Sequence, residues 1–267
     1  MYKFFDLNIR LSILILLLFA LLTGCADKES DEILTESDWQ EINEHIDVKL
    51  IPFETYVGDS TTLARGEIKI YRLNQGYEQS ELQANLENNS SSPKRLSEWK
   101  KLNSNAELII NAGYHHEDYS PSGYLEIENA RVGERQFDLH RSGFVAIKDG
   151  KLSLLNSYDL ALVSAEFDSL LQSYPFLIVD GQPAIDEDSK LLDRRTALGS
   201  DAAGNIYAII VETPYLSLFE LMKKLMASDI EFTNVLNLDG GTSTGIVGGD
   251  LDSINSWLPV PSVLVLE

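Results

Sequence analysis

Three apolar runs in this chain end alike, in a residue able to ionise or hydrogen-bond with glycine close behind. Leu108-Ile109-Ile110 leads to Asn111, Phe176-Leu177-Ile178-Val179 to Asp180, and Val235-Leu236-Asn237-Leu238 to Asp239. A strand core fixes the side chain at its end, and glycine lets the backbone turn or a ligand approach. The three ends are therefore candidate site positions. The third is followed by Gly240, Gly241, Thr242, Ser243 and Thr244, more glycine and hydroxyl than a hairpin needs. Successive N–H groups and hydroxyls of this kind can face an anion or an oxyanion. Plain structural alternatives stand beside these readings. Asp-Gly is an ordinary turn sequence, Asp239 can cap its own turn, and Asn111 can be a buried amide closing a turn.

Other chemistry-bearing residues point less clearly to a site. His115 to Asp118 reads His-His-Glu-Asp, but adjacent histidines on an extended segment face opposite ways and no second pair stands at ligand spacing. Zinc is not expected. Asp186, Glu187 and Asp188 lack the glycine-punctuated spacing of a calcium loop and read as a solvated charge run. Tyr114, Tyr119, Tyr124 and Trp257 have faces that can stack on a sugar ring, and equally the area to pack in a core.

The elements that must position these groups are mostly short β-rich runs. From Glu107 onward they are ELIINAG, GFVAIKDG, FLIVDG, NIYAIIVE, NVLNLDGG and a closing SVLVLE, with EIKIYRL as an alternating strand upstream. Between NIYAIIVE and NVLNLDGG, Leu218, Leu221, Met222 and Leu225 share one helical face, and Ser217 with Glu220 forms a capping box at its start. ENNSSSPKRLSEW reads as a loop and a helix start. Trp39, Ile42 and Ile46 stand at helical spacing and predict a short amphipathic helix entering the domain. The expected fold class is α+β (mixed α/β), a single domain over residues 36–267 built on a mixed β-sheet with a few helices.

The chain has 267 residues and a formal charge of −21, which becomes −22 once Lys3, Arg10 and Asp6 leave with the N-terminal segment. So acidic a surface excludes nucleic acid as a partner. Residues 1–24 read as a leader, because two basic residues precede an apolar run from Leu11 to Leu22 that is too short to span a bilayer at about 20 residues. The run ends in Leu22-Thr23-Gly24-Cys25, which resembles the lipobox of bacterial lipoproteins, in which the cysteine carries lipid. A tether over 25–35 follows. The expected location is the bacterial cell envelope, anchored to membrane through Cys25, with Ala26 leaning toward the outer membrane. Cys25 is the only cysteine, so thiol catalysis and disulfides are excluded from the lipidated form.

LNLDGGTST, preceded by RRTALGSDAAGNIYAIIVE and LSLFELMKKLMA, resembles the C-terminal half of the phosphodiester glycosidase family, relatives of the lysosomal enzyme that uncovers the mannose-6-phosphate signal. NAGYHHEDYSPSGYLEIENARVG, SGFVAIKDGKL and YPFLIVDGQPAI are similar to the family's upstream segments in the same order, so the resemblance covers roughly Leu108 to Glu267. Two departures stand out: Thr242-Ser243-Thr244 replaces the family's glycine and serines, and His115 stands where the family commonly has an aromatic.

The resemblance implies hydrolysis of the bond between a sugar's anomeric carbon and a phosphodiester oxygen. Neither a cofactor nor a metal ligand set is read from the sequence. That reaction needs a cation for the phosphate and a carboxylate for the oxocarbenium-like sugar. Arg195 matches the family's arginine and suits the first demand, with a structural ion pair as its alternative. Arg194 would point the other way along a strand, toward solvent. Asp239 is the expected carboxylate, as nucleophile, general base or electrostatic stabiliser, and Asn111 is expected to bond a sugar hydroxyl or phosphate oxygen. Gly240, Gly241, Thr242, Ser243, Thr244 and Asp180 complete the expected substrate contacts. The rival reading is a non-catalytic carbohydrate-binding or envelope-assembly lipoprotein on the same fold.

Overall fold

Along EIKIYRL, Ile68 and Ile70 face one way and Tyr71 and Leu73 also reach a core, and all four are buried. A strand covered on both faces must lie inside a layered structure. The computed structural model describes residues 38–58, 61–73, 84–133, 143–160 and 167–267, all within one compact unit. The leader, Cys25 and the tether lie outside the described residues.

The largest sheet has eight strands in the order β1 (Gln40–Asn43), β2 (Ile46–Val57), β3 (Thr62–Leu73), β14 (Ile206–Leu216), β13 (Asp193–Asp201), β15 (Phe232–Asn237), β11 (Phe176–Val179) and β12 (Gln182–Pro183). A four-stranded sheet runs β16 (Ile246–Gly248), β5 (Leu108–Asn111), β17 (Ser262–Leu266), β4 (Ala84–Asn88). A five-stranded sheet runs β7 (Ala130–Arg131), β6 (Leu125–Ile127), β10 (Ser169–Ser173), β8 (Gly143–Lys148), β9 (Lys151–Asn156). Three helices are present among the described residues, α1 (Leu96–Leu102), the one-turn α2 (Ser157–Leu160) and α3 (Leu218–Met226).

One face of the large sheet packs Leu198, Ala208, Ile210 and Leu236 against Leu108, Ile110 and Leu264 of the four-stranded sheet and Val145, Ile147 and Leu171 of the five-stranded one. Its opposite face, through Ile68, Ile209 and Val235, is closed by Leu221, Met222 and Leu225 of α3. Those three helix side chains are fully or nearly fully buried, which stabilises the docking by about 1.5–3 kcal/mol each. The capping box forms as expected: Glu220 N–H donates to Ser217 Oγ at 3.1 Å and Ser217 N–H to Glu220 Oε2 at 3.1 Å.

The α+β expectation with a mixed sheet is overturned. Of the described residues 51% are in strands and 11% are helical, and every strand pairing among them is antiparallel. The protein is mainly β. Strands β14 and β15 flank α3 and run the same way, but they do not pair as parallel neighbours: β13 lies between them and pairs antiparallel with both. The helix expected around Trp39, Ile42 and Ile46 is also absent, since this stretch forms β1 and the start of β2, joined by a tight turn. Trp39 packs against Tyr207 at 6.2 Å between rings and under the Arg72 guanidinium at 4.5 Å. Those tertiary partners outweigh a weak local period.

Candidate active site

The site lies where the large sheet meets the four-stranded one. β13 and β15 pair with Ala197 opposite Asn237 and Leu198 opposite Leu236, and Leu238 N–H donates to Thr196 O at 2.9 Å just beyond. Continuing that register sets Arg195 opposite Asp239, on the same face, because side chains alternate with period two. From the four-stranded sheet, the end of β5 reaches the same place: Asp239 N–H donates to Ala112 O at 3.2 Å.

Asn111 is the pin between the sheets. It is buried, its Nδ2 donates to Asp239 O at 2.6 Å, and its Oδ1 accepts from Thr196 Oγ1 at 2.8 Å and from Gly245 N–H at 3.1 Å. One amide therefore holds strand β13, the Asp239 backbone and the far end of the glycine loop. Its geometry is that of a positioning residue, the buried amide that the sequence offered as an alternative to substrate contact.

The two glycines are explained by crowding. A Cβ on Gly240 would lie 2.9 Å from Arg194 O, and one on Gly241, whose φ is +59°, would lie 2.9 Å from Asp193 Oδ2. Only glycine lets the loop lie this close against β13. The loop then forms a single 3₁₀ turn over Gly241–Ser243. Ser243 and Thr244 are buried and Thr242 is exposed. The Ser243 side chain bonds the Asp239 carboxylate, while Thr242 O accepts from Trp257 N–H at 2.8 Å and Leu258 N–H at 3.2 Å.

The Asp239 carboxylate is 15% exposed. Burial pushes its pKa up to about 6, with the Asp193 charge adding to the effect and the bonds from Ser243 and Gly240 N–H (2.9 Å) opposing it. Around it stand His115, with Nδ1 3.6 Å from Asp239 Oδ2, and Tyr114, whose hydroxyl accepts from Asn237 Nδ2 at 2.5 Å. Burial, reinforced by the Asp239 charge, raises the Tyr114 pKa to about 12, so this phenol stays protonated. Tyr174 packs on Tyr114 with ring centroids 5.0 Å apart.

Arg195 is brought to the site. A Cβ on Gly240 would be 4.0 Å from its Nη1, while its Nε donates to Leu216 O at 3.1 Å and its Nη2 to Leu191 O. Burial pulls the pKa of its guanidinium down, and the charge of Asp193 and the neighbouring Tyr114 oppose this. Arg194 does point the other way, but not into solvent. It is 1% exposed, donates to Glu212 O at 3.0 Å, to Asn255 O at 3.4 Å and to Gly241 O at 3.5 Å, and carries the Trp257 ring 4.5 Å from its guanidinium carbon. Because the sheet is covered on both faces, strand alternation does not supply a wet side here.

Asp180 is not brought to the site. It follows β11, which runs antiparallel to β15, so it lies at the opposite end of the sheet, its N–H facing Asn234 Oδ1 at 3.3 Å. With Gly181 it forms the β11–β12 turn, at φ +50° and +71°, the two-residue hairpin that Asp-Gly favours. Its expected substrate contact is withdrawn. Two groups passed over by sequence reasoning belong to the cluster instead. Asp193 stands two residues before Arg195, across an irregularity in the β13–β14 pairing, and its charge acts on both Arg195 and Asp239. His115 follows Asn111 by four residues, and the sequence marks it only as a poor metal ligand and as a departure from the family's aromatic.

The result is a buried carboxylic acid, a desolvated guanidinium and a protonated phenol at one end of a mainly β scaffold. The family model for phosphodiester glycosidases matches residues 104–267, more than half of the chain, and the chain belongs to that family. Among solved structures, it is similar to the zebrafish N-acetylglucosamine-1-phosphodiester alpha-N-acetylglucosaminidase catalytic domain auto-inhibited by its pro-peptide. That match has 17% identity over 82% of this chain and 83% of that one, with TM-score 0.61. A hypothetical protein from Synechocystis matches with 13% identity over 84% of this chain and 62% of that one, TM-score 0.58. At such identities the likeness shows the fold alone. A comparison with curated proteins finds no match.

Proposed function

We propose that this chain hydrolyses the glycosidic bond of a sugar-1-phosphodiester or related glycoconjugate at the bacterial cell envelope. The observation that carries the reading is Arg195 on β13 beside the glycine loop that Asp239 opens just after β15, with Asn111 locking that loop to β13. The guanidinium meets the phosphate, and the carboxylate meets the positive charge that develops on the sugar ring. A phosphate monoester leaves easily, so charge stabilisation matters more than a strong acid at the leaving oxygen. The Asp239 proton comes off at about 6, so the carboxylate is ionised at neutral pH, as a nucleophile or a base requires. The zebrafish neighbour, an N-acetylglucosamine-1-phosphodiester alpha-N-acetylglucosaminidase, supports the same substrate class.

The envelope location rests on the leader-like run and the lipobox resemblance at Leu22–Cys25, with lipid on Cys25 as the anchor. The test is release of a phosphate monoester from a panel of sugar-1-phosphodiesters by the purified chain, compared with Arg195→Ala and Asp239→Asn. Turnover that both variants abolish is expected. Turnover retained in both would overturn the assignment, and binding without release from any member of the panel would favour the non-catalytic carbohydrate-binding reading.

A further inference from the structure

His115 is held as if for a task. Its segment folds back on itself through a bridge to Pro121, His116 N–H donates to Ser120 O at 2.9 Å, and Ser122 N–H donates to Tyr114 O at 2.9 Å. The imidazole packs on Tyr119 at 5.5 Å between rings and is 19% exposed at its side chain. Among the described residues neither ring nitrogen makes a hydrogen bond; the nearest acidic oxygen is Asp239 Oδ2, 3.6 Å from Nδ1. That separation is longer than a hydrogen bond, as catalytic contacts often are before substrate closes the site.

We propose that His115 and Asp239 act as one proton-holding pair, in which Asp239 takes the proton of the attacking water and His115 relieves it. The proposal rests on the hydrolase reading above. In the step it describes, the water oxygen bonds to the anomeric carbon, and the bond from that carbon to the phosphate oxygen breaks. The electron pair leaves with the phosphate monoester. The water proton passes to Asp239 Oδ2 and on to His115 Nδ1, and from the imidazole to solvent. One proton is carried and no other reactant is needed.

The surroundings favour such sharing. Burial lowers the proton affinity of His115, helped by His116 and opposed by Asp118, while burial and Asp193 raise that of Asp239. Tyr119 against the imidazole, Tyr114 with Tyr174 behind it, and the cationic Arg195 also stand around the pair. Both shifts narrow the gap in proton affinity between the two groups, which lowers the cost of passing a proton across the 3.6 Å between them.

The test begins without substrate. The imidazole of His115 is titrated by NMR in the purified chain and in Asp239→Asn, with His45 reporting the fold. Loss of the carboxylate is expected to lower the apparent pKa of His115. In His115→Gln the carboxyl of Asp239 is expected to titrate higher, as reciprocal coupling requires. An unmoved titration in both variants overturns the pair, whatever the activity. Where turnover is found, His115→Gln should cost about a hundredfold in kcat and change the acid limb of the pH profile. Wild-type kcat with an unchanged profile would also overturn it. Coupled titration with no turnover of any phosphodiester would leave the pair standing and remove the substrate reading alone.

Discussion

Asp239→Asn separates the physical account of the site from its chemistry. Burial raises the carboxyl from 3.8 to about 6, so the folded chain holds this proton more tightly than the unfolded chain does. Between about pH 4 and 6 the folded form alone is protonated, so stability from this group is fully present at lower pH and is lost as pH rises through about 6. Above that range the ionised carboxylate costs the fold about 3 kcal/mol, from about two pKa units at 1.36 kcal/mol each. An uncharged asparagine avoids that cost but weakens the bonds from Gly240 N–H and Ser243, at about 0.5–1.5 kcal/mol each. The net expectation at pH 8 is a variant at least as stable as wild type, by up to about 2 kcal/mol, with most turnover lost. Urea unfolding at pH 8 and pH 4.5 measures it, and the advantage should disappear at the lower pH. A variant destabilised equally at both values would refute the argument that burial holds this carboxyl in its raised state.

Asn111→Ala strands Asp239 O, the Thr196 hydroxyl and Gly245 N–H, so denaturant unfolding should show a loss of about 3 kcal/mol or more. Gly240→Ala drives a methyl toward Arg194 O at 2.9 Å; the expected cost is about 1–3 kcal/mol by thermal unfolding, with lower turnover as the loop shifts. Arg195→Lys keeps the charge but loses the planar fork and its bonds to Leu216 O and Leu191 O. Its kcat/KM on a sugar phosphodiester should fall about tenfold or more, and an unchanged value would remove Arg195 from the phosphate.

The residues that local chemistry controls were legible early. The α3 capping box, the glycine-ended strand runs and the Asp180–Gly181 turn each depend on neighbours within a few positions, and the structure shows each in its place. Readings that depend on distant partners went astray. The Trp39–Ile46 stretch carries a helical period, yet the twelve-residue ladder between β2 and β3 draws it into a sheet. Alternation along β13 separated Arg194 from Arg195 correctly, but the covering of both sheet faces decided that Arg194 would be buried.

By itself, the sequence determined which side chains end rigid strands, where glycine must follow, and the strongly acidic net charge, because these follow from local sterics and composition. Only the tertiary structure decided that β13 lies between β14 and β15 and that β5 docks beside them. It thereby brought Asn111, Arg195 and Asp239 together, took Asp180 away, and set His115 against a buried carboxylate. Strand neighbours and proton affinities both depend on what packs across space, and no short stretch of chain contains that information.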